Sequence, residues 1–421
     1  MGSEKPIEWL INPRARADFD PQVVQALIPP DVPWRARRFH RQLPGYRMSP
    51  LVGLPNLAAR LGLGGIWVKD ESQRLDLRSF KVLGGSYAIY QWVRQRLGIT
   101  DRELSFAELT GGALRERLGD ITFAAATDGN HGRGVAWSAA QMGFKAVIYV
   151  HKLTSQQRIQ AIEQTGAKVV VIDGTYDDAV HQVNVDAQRY GWVVISDTAW
   201  EGYEDIPKWV MQGYTTMLSE AQEQLAAQGL AKPTHVFVQA GVGSLAAATL
   251  GYYANLFGAE RPLGVVVEPT RAACLYLSAQ IGDGRPHKFE GELDTIMAGL
   301  ACGEPNPIAW QVLQHIADVF AICPDYVAAK GMRVYGVPLR GDPMIISGES
   351  GAVTLGALLF IMEYPGARAL REFLGLGPDS QVLLINSEGN TSPDDFRYVM
   401  WEGGTPVPDE YKIFRSSLHS G

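Results

Sequence analysis

The sequence predicts an α/β protein: two open, twisted, mostly parallel sheets with helices on both faces, meeting at a cleft between a large and a small domain. Three observations carry this. From residue 121 onward, short apolar runs alternate with longer helical stretches, the pattern of parallel strands joined by right-handed crossovers. The runs are apolar throughout rather than alternating, as strands covered on both faces require. Glycine-rich turns follow predicted strands at Thr127–Gly132 and Gln239–Ser244, where open α/β sheets bind ligands.

The elements follow in order. Ile66-Trp67-Val68 reads as a strand that leads toward Lys81. In the small layer, residues 121–124, 146–150, 168–172 and 192–195 are predicted strands. Residues 132–142, 155–164 and 177–190 are predicted helices between them. A long helix is predicted over 207–227, with Pro207 in its first turn, where a missing N–H costs least. Strands are predicted at 236–238, 265–267, 344–346 and 382–385, and helices at 244–254 and 352–362. The expected division is a small domain over 80–190 and a large one from 1–79 and 191–421.

With 421 residues, 46% hydrophobic and 20% charged, the chain is long enough for a substantial core. A net charge of −7 argues against nucleic acid and acidic membranes as partners. No run approaches the length of a spanning helix. The start, Met1-Gly2-Ser3-Glu4-Lys5, lacks a signal-peptide pattern, so a cytoplasmic protein is expected. Cys274, Cys302 and Cys323 form no zinc motif; no metal is expected. Free thiols are the simpler reading, with a Cys274–Cys302 bond the sharper alternative.

Three segments carry chemistry. In Ser79-Phe80-Lys81-Val82-Leu83-Gly84-Gly85 the glycine pair permits close backbone approach. Alone, Lys81 reads as a snorkelling surface lysine. In a buried cleft, desolvation would lower its pKa and free the neutral amine for a Schiff base. In Thr127-Asp128-Gly129-Asn130-His131-Gly132, Asn130 offers an amide donor for a phenolate oxygen, and Asp128 a carboxylate for proton transfer. Gly241-Val242-Gly243-Ser244 opens a helix after a strand, where backbone amides favour a phosphate. It lacks both the P-loop lysine and the third glycine of a dinucleotide fingerprint, which points to one small phosphate. Ser387, after the last predicted strand, offers a hydroxyl to an unprotonated pyridine nitrogen. Pyridoxal 5'-phosphate (PLP) requires such a set.

Lysine, asparagine turn, glycine turn and terminal serine stand in the order of the fold-type II, tryptophan-synthase-like PLP enzymes. Four strings resemble diaminopropionate ammonia-lyases in particular. They are Phe80–Ala88, Ala126–Gly132, Asp197-Thr198-Ala199-Trp200-Glu201-Gly202-Tyr203 and Gly299-Leu300-Ala301-Cys302-Gly303-Glu304-Pro305. Asp128 stands where threonine and serine dehydratases resemble Ser-Gly-Asn-His-Gly, which disfavours a hydroxy-amino-acid dehydratase.

The resemblance implies the fold-type II architecture, with the cofactor in the cleft between the domains. By it, Lys81 binds the cofactor as a Schiff base, Asn130 meets the ring oxygen, and Gly241, Val242, Gly243 and Ser244 hold the phosphate. Ser387 meets the ring nitrogen, Asp128 is a second acid/base, and Asp197 receives the substrate's distal ammonium. It also implies a homodimer acting on D- and L-2,3-diaminopropionate. The rivals are a dehydratase or β-replacement synthase of the same fold and, more remotely, a non-catalytic binding protein.

Overall fold

Apolar runs become the inner strands of two sheets in the computed structural model, which describes residues 4–17, 19–127, 129–152, 154–174 and 176–412. The strands among these residues are β1 (Glu8–Ile11), β2 (Leu51–Gly53), β3 (Gly65–Asp70), β4 (Thr122–Ala126), β5 (Lys145–His151), β6 (Lys168–Ile172), β7 (Val193–Val194), β8 (His235–Gln239), β9 (Leu263–Pro269), β10 (Val319–Cys323) and β11 (Gln381–Asn386). The larger sheet has the order β1-β10-β9-β8-β11-β3-β2 and the smaller β6-β5-β4-β7. All pairs are parallel except the two edges of the larger sheet, where β1 meets β10 and β2 meets β3 antiparallel.

Both faces of the larger sheet are covered. Along β8, Val236 and Val238 face a core that includes the helix Ser244–Phe257, while Phe237 faces another that includes the helix Glu349–Glu363. Burying each such side chain contributes about 1.5–3 kcal/mol, and this two-sided burial is why the run carries no polar alternation. Beneath the second core the helices Asp325–Gly336 and Glu349–Glu363 touch backbone to backbone. A Cβ on Gly331 would lie 2.2 Å from the Ala352 carbonyl, and one on Gly356 2.1 Å from that of Val327.

Two sequence expectations change. Residues 344–346 form no strand: Ile345 is buried, but Met344 and Ile346 are 64% and 38% exposed. The segment crosses the end of the helix Asp325–Gly336, with the Ile345 N–H donating to the Tyr335 carbonyl (3.0 Å). It was apolar for the sake of one anchoring side chain. Conversely, Val319–Cys323, to which the sequence reading assigns no strand, is a fully buried one between β1 and β9.

The helix Lys81–Arg96 joins the two layers, packing between Asp205–Ala227 and Asn130–Gln141. Gly84 and Gly85 serve this packing. A Cβ on Gly84 would lie 2.5 Å from the Tyr214 ring, and one on Gly85 3.2 Å from Val135. Residues 78–80 are stitched to the end of β11. Phe80 N–H donates to the Ser387 carbonyl (3.2 Å) and Gly389 N–H to that of Arg78 (2.9 Å). Lys81 therefore starts its helix beside the carboxyl end of β11.

Candidate active site

The carboxyl ends of β4, β8 and β11 converge on Lys81. Its ammonium donates to Asp197 Oδ2 at 2.5 Å; the two side chains are 20% and 13% exposed. Burial alone would lower the Lys81 pKa, as the sequence reading expects. The charge and hydrogen bond of Asp197 outweigh it, so the pKa is raised instead. Burial likewise opposes ionisation of Asp197, yet Lys81 and His131 hold its pKa well below the usual carboxylate range. Where the sequence reading expects burial to lower the Lys81 pKa, the Asp197 carboxylate beside it thus acts in the opposite direction.

The asparagine turn is built by Thr127, whose Oγ1 accepts from the N–H groups of Gly129 (2.9 Å) and Gly132 (3.1 Å). A Cβ on Gly132 would lie 2.3 Å from Thr127 Cγ2, so that position requires glycine. Asn130 opens its helix and donates to Glu388 Oε2 at 2.5 Å. Glu388 also accepts from Ser350 N–H and Thr391 Oγ1. Asp128 lies outside the described residues.

The glycine turn caps the helix Ser244–Phe257. Gly243 has φ +98°, and no side chain caps the helix. Its first N–H groups are therefore available to an anion. Gly241 is wedged against the Gly299–Cys302 segment: a Cβ there would meet Cys302 Sγ at 3.0 Å and the Gly299 carbonyl at 3.3 Å. Ser244 Oγ donates to the Asp197 carbonyl (2.6 Å). Cys274 Sγ donates to the Gly241 carbonyl (3.6 Å), and no disulfide joins Cys274, Cys302 or Cys323.

Ser387 is buried, and its hydroxyl oxygen accepts from Gln239 Nε2 (2.7 Å). Its own proton is left for another acceptor, such as a ring nitrogen. An uncapped glycine-lined helix terminus, an amine, an amide and a hydroxyl thus surround one region, and they fit PLP.

The structure links Asn130 to Glu388, Ser387 to Phe80, Lys81 to Asp197, and Asp197 to Ser244. Four residues here escape the sequence reading. Glu388 adjoins Ser387, and Asn306 follows the Gly299–Pro305 string by one residue; these neighbours were the available signal. Glu349 opens a helix and Tyr214 lies inside one, neither with a local cue. Tyr214 is fully buried, packs edge-on to Phe80 (4.7 Å between centroids), and its hydroxyl has no hydrogen-bond partner among the described residues.

The family profile described as "Pyridoxal-phosphate dependent enzyme" matches residues 43–388. The chain is 48% identical to the diaminopropionate ammonia-lyase of Escherichia coli (strain K12) over 368 residues, covering 87% of this chain and 91% of that one. The crystal structure of the E. coli diaminopropionate ammonia-lyase with D-serine superposes with a TM-score of 0.87 at 44% identity, covering 96% of this chain and 98% of that one. The same lyase in complex with an aminoacrylate-PLP azomethine reaction intermediate gives a TM-score of 0.85 at 45% identity, covering 95% and 98%. The chain belongs to the diaminopropionate ammonia-lyase family of pyridoxal-phosphate dependent enzymes.

Proposed function

We propose that the chain catalyses α,β-elimination of D- and L-2,3-diaminopropionate to pyruvate and two ammonia. The observation that carries this is the Lys81–Asp197 pair, a carboxylate held ionised at the tip of the reactive lysine. When bound, PLP supplies an electrophilic carbon for an amine and a conjugated ring that takes up the electron pair released at Cα.

The protein's part follows from its residues. The turn at Gly241, Val242, Gly243 and Ser244 holds the phosphate by backbone N–H groups. Asn130 and Ser387 orient the ring through its oxygen and nitrogen. Lys81 in its neutral form leaves Asp197 without its cation, and an unpaired, largely buried carboxylate is costly. A substrate with a distal ammonium restores the pair; serine and threonine do not. Lys81 then removes the proton at Cα of one enantiomer, and Asp128 that of the other. The Cα–Cβ double bond forms as the β C–N bond breaks. The leaving group departs as neutral ammonia because it enters protonated. Released aminoacrylate takes up water and yields pyruvate and the second ammonia.

We further propose a homodimer, which the family resemblance implies, and, from the sequence pattern, a cytoplasmic location and domains of 80–190 and 1–79 with 191–421. Light scattering giving twice the chain mass checks the first. The activity is tested by pyruvate formation from D- and L-2,3-diaminopropionate, with L-serine and L-threonine as controls. We expect the diamino acids to exceed the hydroxy acids in kcat/KM by at least about 10²-fold; faster serine or threonine turnover sinks the reading.

A further inference from the structure

Asn306 has no exposed surface and uses its whole amide. Its Nδ2 donates to the Asp197 carbonyl (3.0 Å) and to Ser244 Oγ (2.9 Å). Its Oδ1 accepts from Ala199 N–H (3.4 Å) and from Ile308 N–H (3.2 Å). Its backbone N–H donates to the Val242 carbonyl (2.8 Å). Two acceptors on the nitrogen side and two donors on the oxygen side fix the amide's orientation. One residue thus grips both the turn at Gly241–Ser244 and the loop that carries Asp197. The far end of that loop is pinned separately, by Tyr203, whose hydroxyl donates to the Val194 carbonyl (2.7 Å) and accepts from Ser196 N–H (3.0 Å).

From this geometry we propose that Asn306 is a positioning residue coupling the phosphate turn to the Asp197 carboxylate, and thereby setting the preference for a substrate with a distal ammonium. The bland alternative is a helix cap. Asn306 does cap Pro307–Ile316 through Oδ1. A cap uses Oδ1 alone, however. The two Nδ2 bonds, to Asp197 and to Ser244, cap no helix. Because Ser244 Oγ and Asn306 Nδ2 converge on one carbonyl, displacement of the turn moves the Asp197 backbone with it. Coupling of this kind is reciprocal: what steadies the phosphate steadies the carboxylate. The substrate arm of this inference rests on the role of Asp197 proposed above; the cofactor arm does not.

The test is Asn306→Asp, which keeps an oxygen to cap the helix and deletes the Nδ2 donors. Three quantities are read: the PLP dissociation constant of the cofactor-free protein by absorbance titration, kcat/KM for D-2,3-diaminopropionate, and the dissociation constant of D-serine, which has no distal ammonium. We expect PLP affinity and kcat/KM for the diamino acid each to fall about tenfold, with D-serine affinity changing less than about twofold. Asn306→Ser, which also retains a capping oxygen, gives the same split if the first variant does not fold. Equal losses for diaminopropionate and D-serine, or no change in either PLP affinity or kcat/KM, overturn the proposal. Asp197→Asn separates the two readings. If it spares diaminopropionate, the role of Asp197 falls, while a PLP affinity weakened by Asn306→Asp still upholds the coupling.

Discussion

Lys69 and Lys81 sit twelve positions apart, both paired with a carboxylate, and they do opposite things. Lys69, on β3, is fully buried. Its three protons go to the Ser49 carbonyl (2.7 Å), Glu220 (2.8 Å) and Gln224 (3.0 Å). Arg74 bridges Glu71 and Glu220, so two cations and two carboxylates close on one another with no exposed surface. Among the described residues Lys81 has one carboxylate partner, and it remains partly open. Burial, helped by Arg74, holds the Lys69 pKa below its ordinary value despite Glu220 and Glu71. At Lys81, burial loses to Asp197 and the pKa rises. The difference lies in saturation. An ammonium with three acceptors in a closed cluster is a rivet. One with a single partner facing a cleft can exchange that partner, its proton, or both.

The largest effect should come from the open pair. Lys81→Ala is expected to lower pyruvate formation by at least about 10³-fold while leaving the melting temperature near that of the parent. A loss of less than tenfold would remove Lys81 from the chemistry. The closed cluster should show the reverse. Lys69→Met leaves Glu220 shared by one cation fewer and is expected to cost about 3–5 kcal/mol of stability. It appears as a lower urea midpoint, with kcat per folded molecule within about twofold. A smaller effect sharpens the contrast. Asp197→Asn removes what raises the Lys81 pKa, so more neutral amine is present near pH 7. Cofactor-free Asp197→Asn should then capture PLP about tenfold faster, read by stopped-flow absorbance. Unchanged capture would mean that Asp197 does not control the lysine's proton.

The same contrast separates what was legible in the sequence from what was not. Strands buried on both faces, such as β8, show themselves by consecutive apolar residues, here Val236-Phe237-Val238, although the equally apolar β10 was missed. The edge strands β1 and β2 are only partly buried, and their short apolar runs, Trp9-Leu10-Ile11 and Leu51-Val52, were not read as strands. Residues 344–346 misled because apolar composition records hydrophobicity, not whether a sheet position is free. At the site, Asn130, Ser387 and the glycine turn were legible because each is a local string after a strand. The Lys81 protonation state was not, since it depends on Asp197, 116 residues away. Nor was the clasp of Asn306, whose partners lie 62 and 109 residues off.

The smallest predicted effect concerns another buried acid that the sequence did not mark. Glu349 opens the helix Glu349–Glu363, is 6% exposed, and its Oε1 has no hydrogen-bond partner among the described residues. Burial first, then the neighbouring Glu388 charge, push its pKa up to about 8; Asp395 adds to this and Arg158 opposes it. The unfolded value is 4.5. Below that pH, Glu349 is protonated in both states and costs nothing. As pH rises toward 8 the unfolded chain ionises first, so the folded state progressively loses stability relative to it. Above 8 the full cost of a buried charge beside Glu388 is present. Glu349→Gln removes this term. The cofactor-free variant should therefore melt with the parent at pH 4 and about 2–4 °C above it at pH 9. Melting curves that stay parallel across that range would place Glu349 in contact with a cation or donor at all pH values. The saturated arrangement of Lys69 would then be the better description of this end of the site as well.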